Sequence, residues 1–207
     1  MTQTVGFGGG CHWCTEAVFE AIAGVTQVEQ GWITSLPPDD VESEAVRVQF
    51  DPASIDLRAL IRVHLQTHAS TSNHALRVRY RSAVYTNSPA QQAQVTRLLG
   101  ELQAEFDAPL VTRALPLAGF RLSPPRYQHY YARRPEAPFC QRHIEPKLKQ
   151  VAATVPTRAA GIAARALNFQ IHPLANRRLG RLGFAAPSRR GVGAICDVVL
   201  LPAVNTP

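Results

Sequence analysis

Two hydrophobic periods divide the first 150 residues of the chain. Residues 2–7 read as a short strand that runs into Gly8-Gly9-Gly10. Over residues 14–23, Ala17, Val18, Ala21 and Ile22 recur on one side, as in an amphipathic helix, and Gly24 stands where glycine often closes one. Residues 25–33 read as a strand and 36–40, Leu-Pro-Pro-Asp-Asp, as a loop. Residues 44–50 alternate, with Glu44, Val46, Val48 and Phe50 on one face and Ala45, Arg47 and Gln49 on the other. Leu57, Leu60, Ile61 and Leu65 mark a helix over 57–67, residues 68–79 are polar and irregular, and 82–86 is a further strand. Ser88-Pro89 is an N-cap followed by proline at the first helical position, which starts a helix reaching about 106. A strand over 110–115 and a short aromatic helix over 124–133, ended by Pro135 and Pro138, complete the order β-α-β-β-α-β-α-β. That order contains the split βαβ pattern, so the predicted fold is α+β, a two-layer ferredoxin-like sandwich with a mixed sheet.

The chain has 207 residues, 45% of them apolar, enough for one domain with a buried core. The net charge of +7 raises the question of nucleic acid, but its placement answers against it. Residues 1–150 hold 15 basic and 14 acidic side chains, whereas 151–207 hold 7 arginines and one acid, Asp197. The expected organisation is therefore a catalytic domain over 1–150 and an Arg/Ala-rich tail over 151–207 that is weakly ordered and not a domain. Within the tail, 159–167 could form a short helix, Cys196 has no assigned role, and Phe169 and Phe184 are too few for base stacking. Its Arg/Ala/Pro/Gly bias also fits GC-rich DNA read out of frame. No apolar run reaches the roughly 18 residues of a membrane span, and no basic-then-apolar leader is visible, so a cytoplasmic monomer with no membrane or nucleic-acid partner is expected. In that setting Cys11, Cys14, Cys140 and Cys196 read as redox or metal chemistry rather than as a disulfide framework.

The strongest chemical signal is Gly8-Gly9-Gly10-Cys11-His12-Trp13-Cys14. Glycines let the backbone bend toward a ligand, and a helix N-terminus favours a thiolate. Cys11 is thus placed as a nucleophile, with Cys14 three residues on as a redox partner. The Gly6-x-Gly8 spacing is not a dinucleotide fingerprint, because its third glycine is Cys11 and the strand order does not suit it. Glu44 shares a strand face with Val46, Val48 and Phe50, where burial disfavours the anion and suits the group to proton donation. His64, His68 and His74 read as solvated or hydrogen-bonded residues, and His129 as a supporting one.

Gly10-Cys11-His12-Trp13 followed by Thr15-Glu16-Ala17-Val18-Phe19 resembles the active-site motif of the type A peptide methionine sulfoxide reductases. Ser43-Glu44-Ala45-Val46-Arg47-Val48, Tyr80-Arg81-Ser82-Ala83, Tyr127-Gln128-His129-Tyr130-Tyr131 and Phe139-Cys140 with Pro146-Lys147-Leu148 are similar to later segments of that family, in order. The resemblance covers about residues 4–149. It implies that Cys11 attacks the sulfur of methionine S-sulfoxide, free or in a peptide, and becomes a sulfenic acid. Glu44 and Tyr80 would bind the sulfoxide oxygen, and Trp13 and His12 would wall the methyl group. Cys140, with Cys14 as the alternative, would resolve the sulfenic acid to a disulfide. Thioredoxin or a similar external dithiol would reduce it, with no bound cofactor and no metal, in repair of oxidised proteins and peptides.

The pattern departs from the family around the substrate. His12 stands for the usual Phe and Phe139 for Tyr. The stretch between Trp32 and Glu44 lacks the usual glycine pair and tyrosine. Glu42-Ser43 replaces Gly-His, Ala75 replaces an aspartate with His74 beside it as a possible polar contact, and Arg77 and Arg79 replace Gly and Gln. Three other readings compete. Cys11 and Cys14 could serve general thiol–disulfide exchange, Cys11, Cys14, Cys140 and His143 could form a Cys3His zinc site, and the chain could be an interaction protein acting through its basic tail.

Overall fold

The computed structural model of the chain describes residues 1–158. Among them one mixed sheet is built from β1 (Gln3–Gly8), β2 (Val25–Thr34), β3 (Ser43–Phe50), β4 (Ala83–Thr86), β5 (Arg113–Pro116) and β6 (Gly119–Leu122). The order across the sheet is β5-β4-β1-β3-β2-β6. The helices are α1 (His12–Glu20), α2 (Leu57–Thr67), α3 (Pro89–Leu102), α4 (Tyr130–Arg133) and α5 (Glu145–Thr154), the last preceded by a π turn, Cys140–Ile144.

The central four strands, β4-β1-β3-β2, are all antiparallel to their neighbours, so β1 and β2 run parallel with β3 between them. This is the split βαβ arrangement that the element order predicts. β5 adds in parallel to β4, and β6 adds antiparallel to the second half of β2. Alternation puts Val5, Phe7, Val46, Val48, Phe50 and Val84 on one face. Val18, Phe19 and Ile22 of the α1 region, Leu60, Ile61 and Leu65 of α2, and Val95, Leu98 and Leu102 of α3 close over it. Asp56 caps α2 by accepting from the Ala59 amide, and Ser88 caps α3 by accepting from Gln91. The opposite face is not left open: Ala45, Ile33, Ala83 and Tyr85 are buried beneath Leu115, Leu117 and Phe120.

Several boundaries differ from the sequence reading. α1 starts at His12 rather than at 14, because Cys11 itself is the N-cap and its carbonyl accepts from Cys14 and Thr15. The turn after it does close at Gly24, whose φ of +90° suits a residue without Cβ. The aromatic stretch 124–133 is not one helix. His129 takes a left-handed conformation (φ 54°) that separates a 3-10 turn from the single turn of α4. The fifth strand begins at Arg113, since Val111 gives its amide to Ser70 in a loop instead of to the sheet. β6, the π turn and α5 are elements that periodicity did not reveal. The domain boundary placed at 150 falls inside α5, whose Val151 belongs to the main core, and the Ile22–Thr157 bridge carries the fold further still. The remaining tail, including the helix predicted over 159–167 and Cys196, lies outside the described residues. Among the described residues no helix is long and apolar enough to cross a membrane.

Candidate active site

The β1–β3 register pairs Gly8 with Ala45, so β1 ends beside Glu44 and the chain must turn there into α1. The turn is held from below by two histidines, His64 buried and His68 half-buried. His64 Nε2 donates to the Gly8 carbonyl at 2.9 Å, and His68 Nδ1 donates to the His64 carbonyl at 2.6 Å. With its proton on Nδ1, His68 accepts at Nε2 from Ser82 Oγ, 2.8 Å away. Burial pushes both rings down, His68 to about 3, so they act as neutral supports. A Cβ on Gly9 would collide with the His68 ring and one on Gly8 with the Arg81 carbonyl, so these two positions need glycine, whereas one on Gly10 would meet nothing. Arg77 steadies the same turn through the Gly9 carbonyl at 3.3 Å.

Cys11 emerges half-buried at the start of α1, and Cys14 and Cys140 are buried in one apolar cluster with it, alongside Ile144 and Leu148. Cys11 donates a hydrogen bond to Cys14. That bond, then burial, then the charges of Cys14 and Glu44 push the Cys11 thiol well up. The same bond pulls Cys14 down, against its burial, with help from Lys147. The two thiols are tightly coupled, and the pushes on them run in opposite directions, Cys11 up and Cys14 down, which a helix-terminus argument for Cys11 alone does not suggest.

Glu44 pairs across the strands with Trp32 and is only 2% exposed. Its Oε1 accepts from Arg79 at 2.7 Å, and its Oε2 accepts from the His12 amide at 3.2 Å. Burial alone disfavours the anion, but Arg79 supplies a countercharge that was not singled out from sequence as part of the site. Its guanidinium also lies over the rings of Tyr80 and Trp32, at 5.4 and 5.8 Å. The Tyr80 hydroxyl is pushed up, first by burial and then by the Glu44 charge, with Cys11 and Cys14 also felt. Tyr80 therefore stands in the same electrostatic basin as Cys11 and Glu44.

Trp13 stacks flat on Tyr130, with centroids 4.2 Å apart and planes 7° from parallel, and meets Phe139 edge-on at 5.9 Å. His12 faces the edge of Trp32 at 6.0 Å. The wall of the site is thus aromatic, and Tyr130 and Phe139 join the residues expected from sequence. Tyr130 is positioned by Glu16, which is 1% exposed and accepts from the His129 amide at 2.7 Å and the Tyr130 amide at 3.2 Å. Burial, more than any neighbour, raises Glu16 to about 7. Its spacing from Cys11 was on the page, but not the partner segment more than a hundred residues away.

His74 turns back onto its own loop, where Nδ1 accepts from the Leu76 amide. The proposed Cys3His grouping is not assembled, because His143 packs instead against the Phe139 ring at 4.9 Å. Among the described residues the one group of three possible metal ligands is Glu16, Glu20 and His129, already engaged as the clamp just described. A polar groove lined by Gln3, Gln27, Gln49, Asn87 and Gln91 opens elsewhere among the described residues and contains no cysteine.

Comparison with known proteins agrees with this geometry. The family model described as "Peptide methionine sulfoxide reductase" matches residues 3–159. A peptide methionine sulfoxide reductase of Chromobacterium violaceum is 34% identical over 160 residues, covering 70% of this chain and 91% of that protein. One of Deinococcus radiodurans is 34% identical over 161 residues, covering 70% and 78%. In structure, the chain resembles methionine sulfoxide reductase A of Corynebacterium diphtheriae with a TM-score of 0.56 and 23% identity, covering 66% of this chain and 76% of that one. It also resembles reduced Mxr1 of Saccharomyces cerevisiae with a TM-score of 0.59 and 17% identity, covering 69% and 91%, a likeness of fold. With its glycine turn, buried thiols and aromatic wall in the order of the motifs, the chain belongs to the peptide methionine sulfoxide reductase family.

Proposed function

We propose that this protein reduces the S epimer of methionine sulfoxide, free or in peptides, through Cys11, and so repairs oxidised methionine. The observation that carries the reading is the convergence of Cys11 and Trp13 at the start of α1, Glu44 of β3 and Tyr80 before β4, three separate segments, on one half-buried basin. Cys11 Sγ attacks the sulfoxide sulfur and its proton passes to Cys14. Glu44 and Tyr80 hydrogen-bond the oxygen as charge builds on it. Trp13, Tyr130 and His12 enclose the methyl group.

The oxygen ends on Cys11 as a sulfenic acid and methionine leaves. Cys14 then attacks that sulfur, forming a disulfide and releasing water. The hydrogen bond between Cys11 and Cys14 supports Cys14 in this step ahead of Cys140, which is 0% exposed and raised by burial. An external dithiol of the thioredoxin kind would reduce the disulfide at Cys11, the most exposed of the three sulfurs. Every electron in the cycle is carried by thiols, so the scheme requires neither metal nor organic cofactor.

The test is reduction of S- and R-methionine sulfoxide, free and in a peptide, by wild type and by Cys11→Ser, Cys14→Ser and Cys140→Ser, with dithiothreitol and with thioredoxin. We expect S-specific turnover that Cys11→Ser abolishes. With thioredoxin, Cys14→Ser should lose most of its rate and Cys140→Ser should keep most. Turnover of neither epimer by folded, reduced wild type would refute the reading. Insulin reduction without sulfoxide reduction would favour plain thiol–disulfide exchange, which the same Cys11–Cys14 pair could serve.

A further inference from the structure

We propose that His12 is a positioning residue that holds, together with Glu44, the proton delivered to the sulfoxide oxygen. The inference rests on the role given to Glu44 above and assigns its proton a second holder. The His12 side chain is 12% exposed, and its Nδ1 lies 3.6 Å from Glu44 Oε2. That nitrogen is buried and has no hydrogen-bond partner. The ring also reaches the Gly31 carbonyl, and with Nδ1 unpartnered it is Nε2 that does so.

A carbonyl oxygen can only accept, so Nε2 carries a hydrogen and Nδ1 of the neutral ring presents a lone pair. A lone pair facing a carboxylate oxygen is repulsive unless a proton lies between them. A proton on the ring makes the contact a charge-assisted hydrogen bond and a proton on the carboxyl makes it a neutral O–H···N one, and closing either needs less than 1 Å of movement. The His12 backbone amide already donates to the same oxygen at 3.2 Å and fixes the approach.

The surroundings favour the neutral ring, so at most one proton sits between His12 and Glu44. Burial pushes the His12 ring down, Glu44 pulls it up, and Arg79 pushes it down again. Arg79 occupies Oε1, so the proton belongs on the Oε2 side. Tyr80 and Cys11 face the same basin from the loop before β4 and from the start of α1. Trp32 of β2 presents only its ring edge.

The step balances. A bond forms between Cys11 Sγ and the substrate sulfur, and the oxygen takes the proton from the His12–Glu44 pair. The thiol proton of Cys11 goes to the Cys14 thiolate. The substrate S–O bond and the new S–S bond then break as the oxygen moves to Cys11 and methionine leaves, so the cysteine sulfur is oxidised by two electrons while the substrate sulfur is reduced by two. Solvent restores the proton on the pair during the disulfide stage.

His12→Phe keeps an aromatic wall and removes both nitrogens. Single-turnover formation of the Cys11 sulfenic acid should slow about tenfold, with KM within about threefold, because a general acid contributes roughly 10²–10⁴-fold and Glu44 remains. The rate against pH should also lose one ionisation. A His12→Phe enzyme equal to wild type across pH 5.5–9 would overturn the proposal and leave His12 as a wall alone. If wild type itself has no turnover, the reading of function fails instead, and the pair is judged directly. In resting protein, the ¹⁵N resonance of His12 Nδ1 should move on Glu44→Gln, and an unmoved resonance would overturn the pairing whatever the activity.

Discussion

Replacing Glu16 by Gln separates the charge of the buried clamp from its shape. Glu16 is raised from an ordinary 4.5 to about 7, with burial the largest cause. Between those values the folded protein keeps a proton that the unfolded chain has released. Stability from this group therefore falls as pH rises across the window. At about 1.4 kcal/mol per unit, two and a half units amount to roughly 3 kcal/mol lost between acid pH and pH 8. Glutamine does not titrate, and it keeps one acceptor for the His129 and Tyr130 amides. Urea unfolding of reduced wild type and Glu16→Gln at pH 5, 6, 7 and 8 reads the difference. The variant should be the less stable at pH 5, and the gap should narrow or reverse by about 3 kcal/mol at pH 8. Subtracting one protein from the other cancels the other titrating groups. A gap that stays constant within about 0.5 kcal/mol would refute the argument, because it would mean that Glu16 ionises alike in the folded and unfolded states.

Further outcomes follow from the same contacts. Gly9→Ala forces a Cβ into the His68 ring, so it should cost about 1–3 kcal/mol in denaturant unfolding and lower kcat more than it raises KM. An unchanged kcat would show that the turn can shift at no cost to the chemistry. Truncation after Gln150 removes buried Val151, the last turn of α5 and the Ile22–Thr157 bridge. It should destabilise the domain by at least about 2 kcal/mol, read as a lower Tm, and an unchanged Tm would place the domain end before α5.

The local elements were legible because each rests on its own residues. Strict alternation over 44–50 needs only a sheet with one apolar side, and α2 emerges from Leu57, Leu60, Ile61 and Leu65 with Asp56 as its cap. The element order then limits the sheet to few topologies, and the split βαβ core is the one observed. The placement of Cys11 at a helix start was legible from the glycine run and the helix that follows it. What tertiary structure decided were the features that join distant segments. β6 is four residues with no clear period, and it exists because the second half of β2 has an edge to pair. Arg79 enters the site because β3 brings Glu44 beneath it, and Glu16 is a clamp because residues 128–130 return to it. The opposite pushes on the two thiols, Cys11 up and Cys14 down, arise for the same reason. Ionisation is set by what lies within a few ångströms in space, and along a chain that distance is known only for the nearest neighbours.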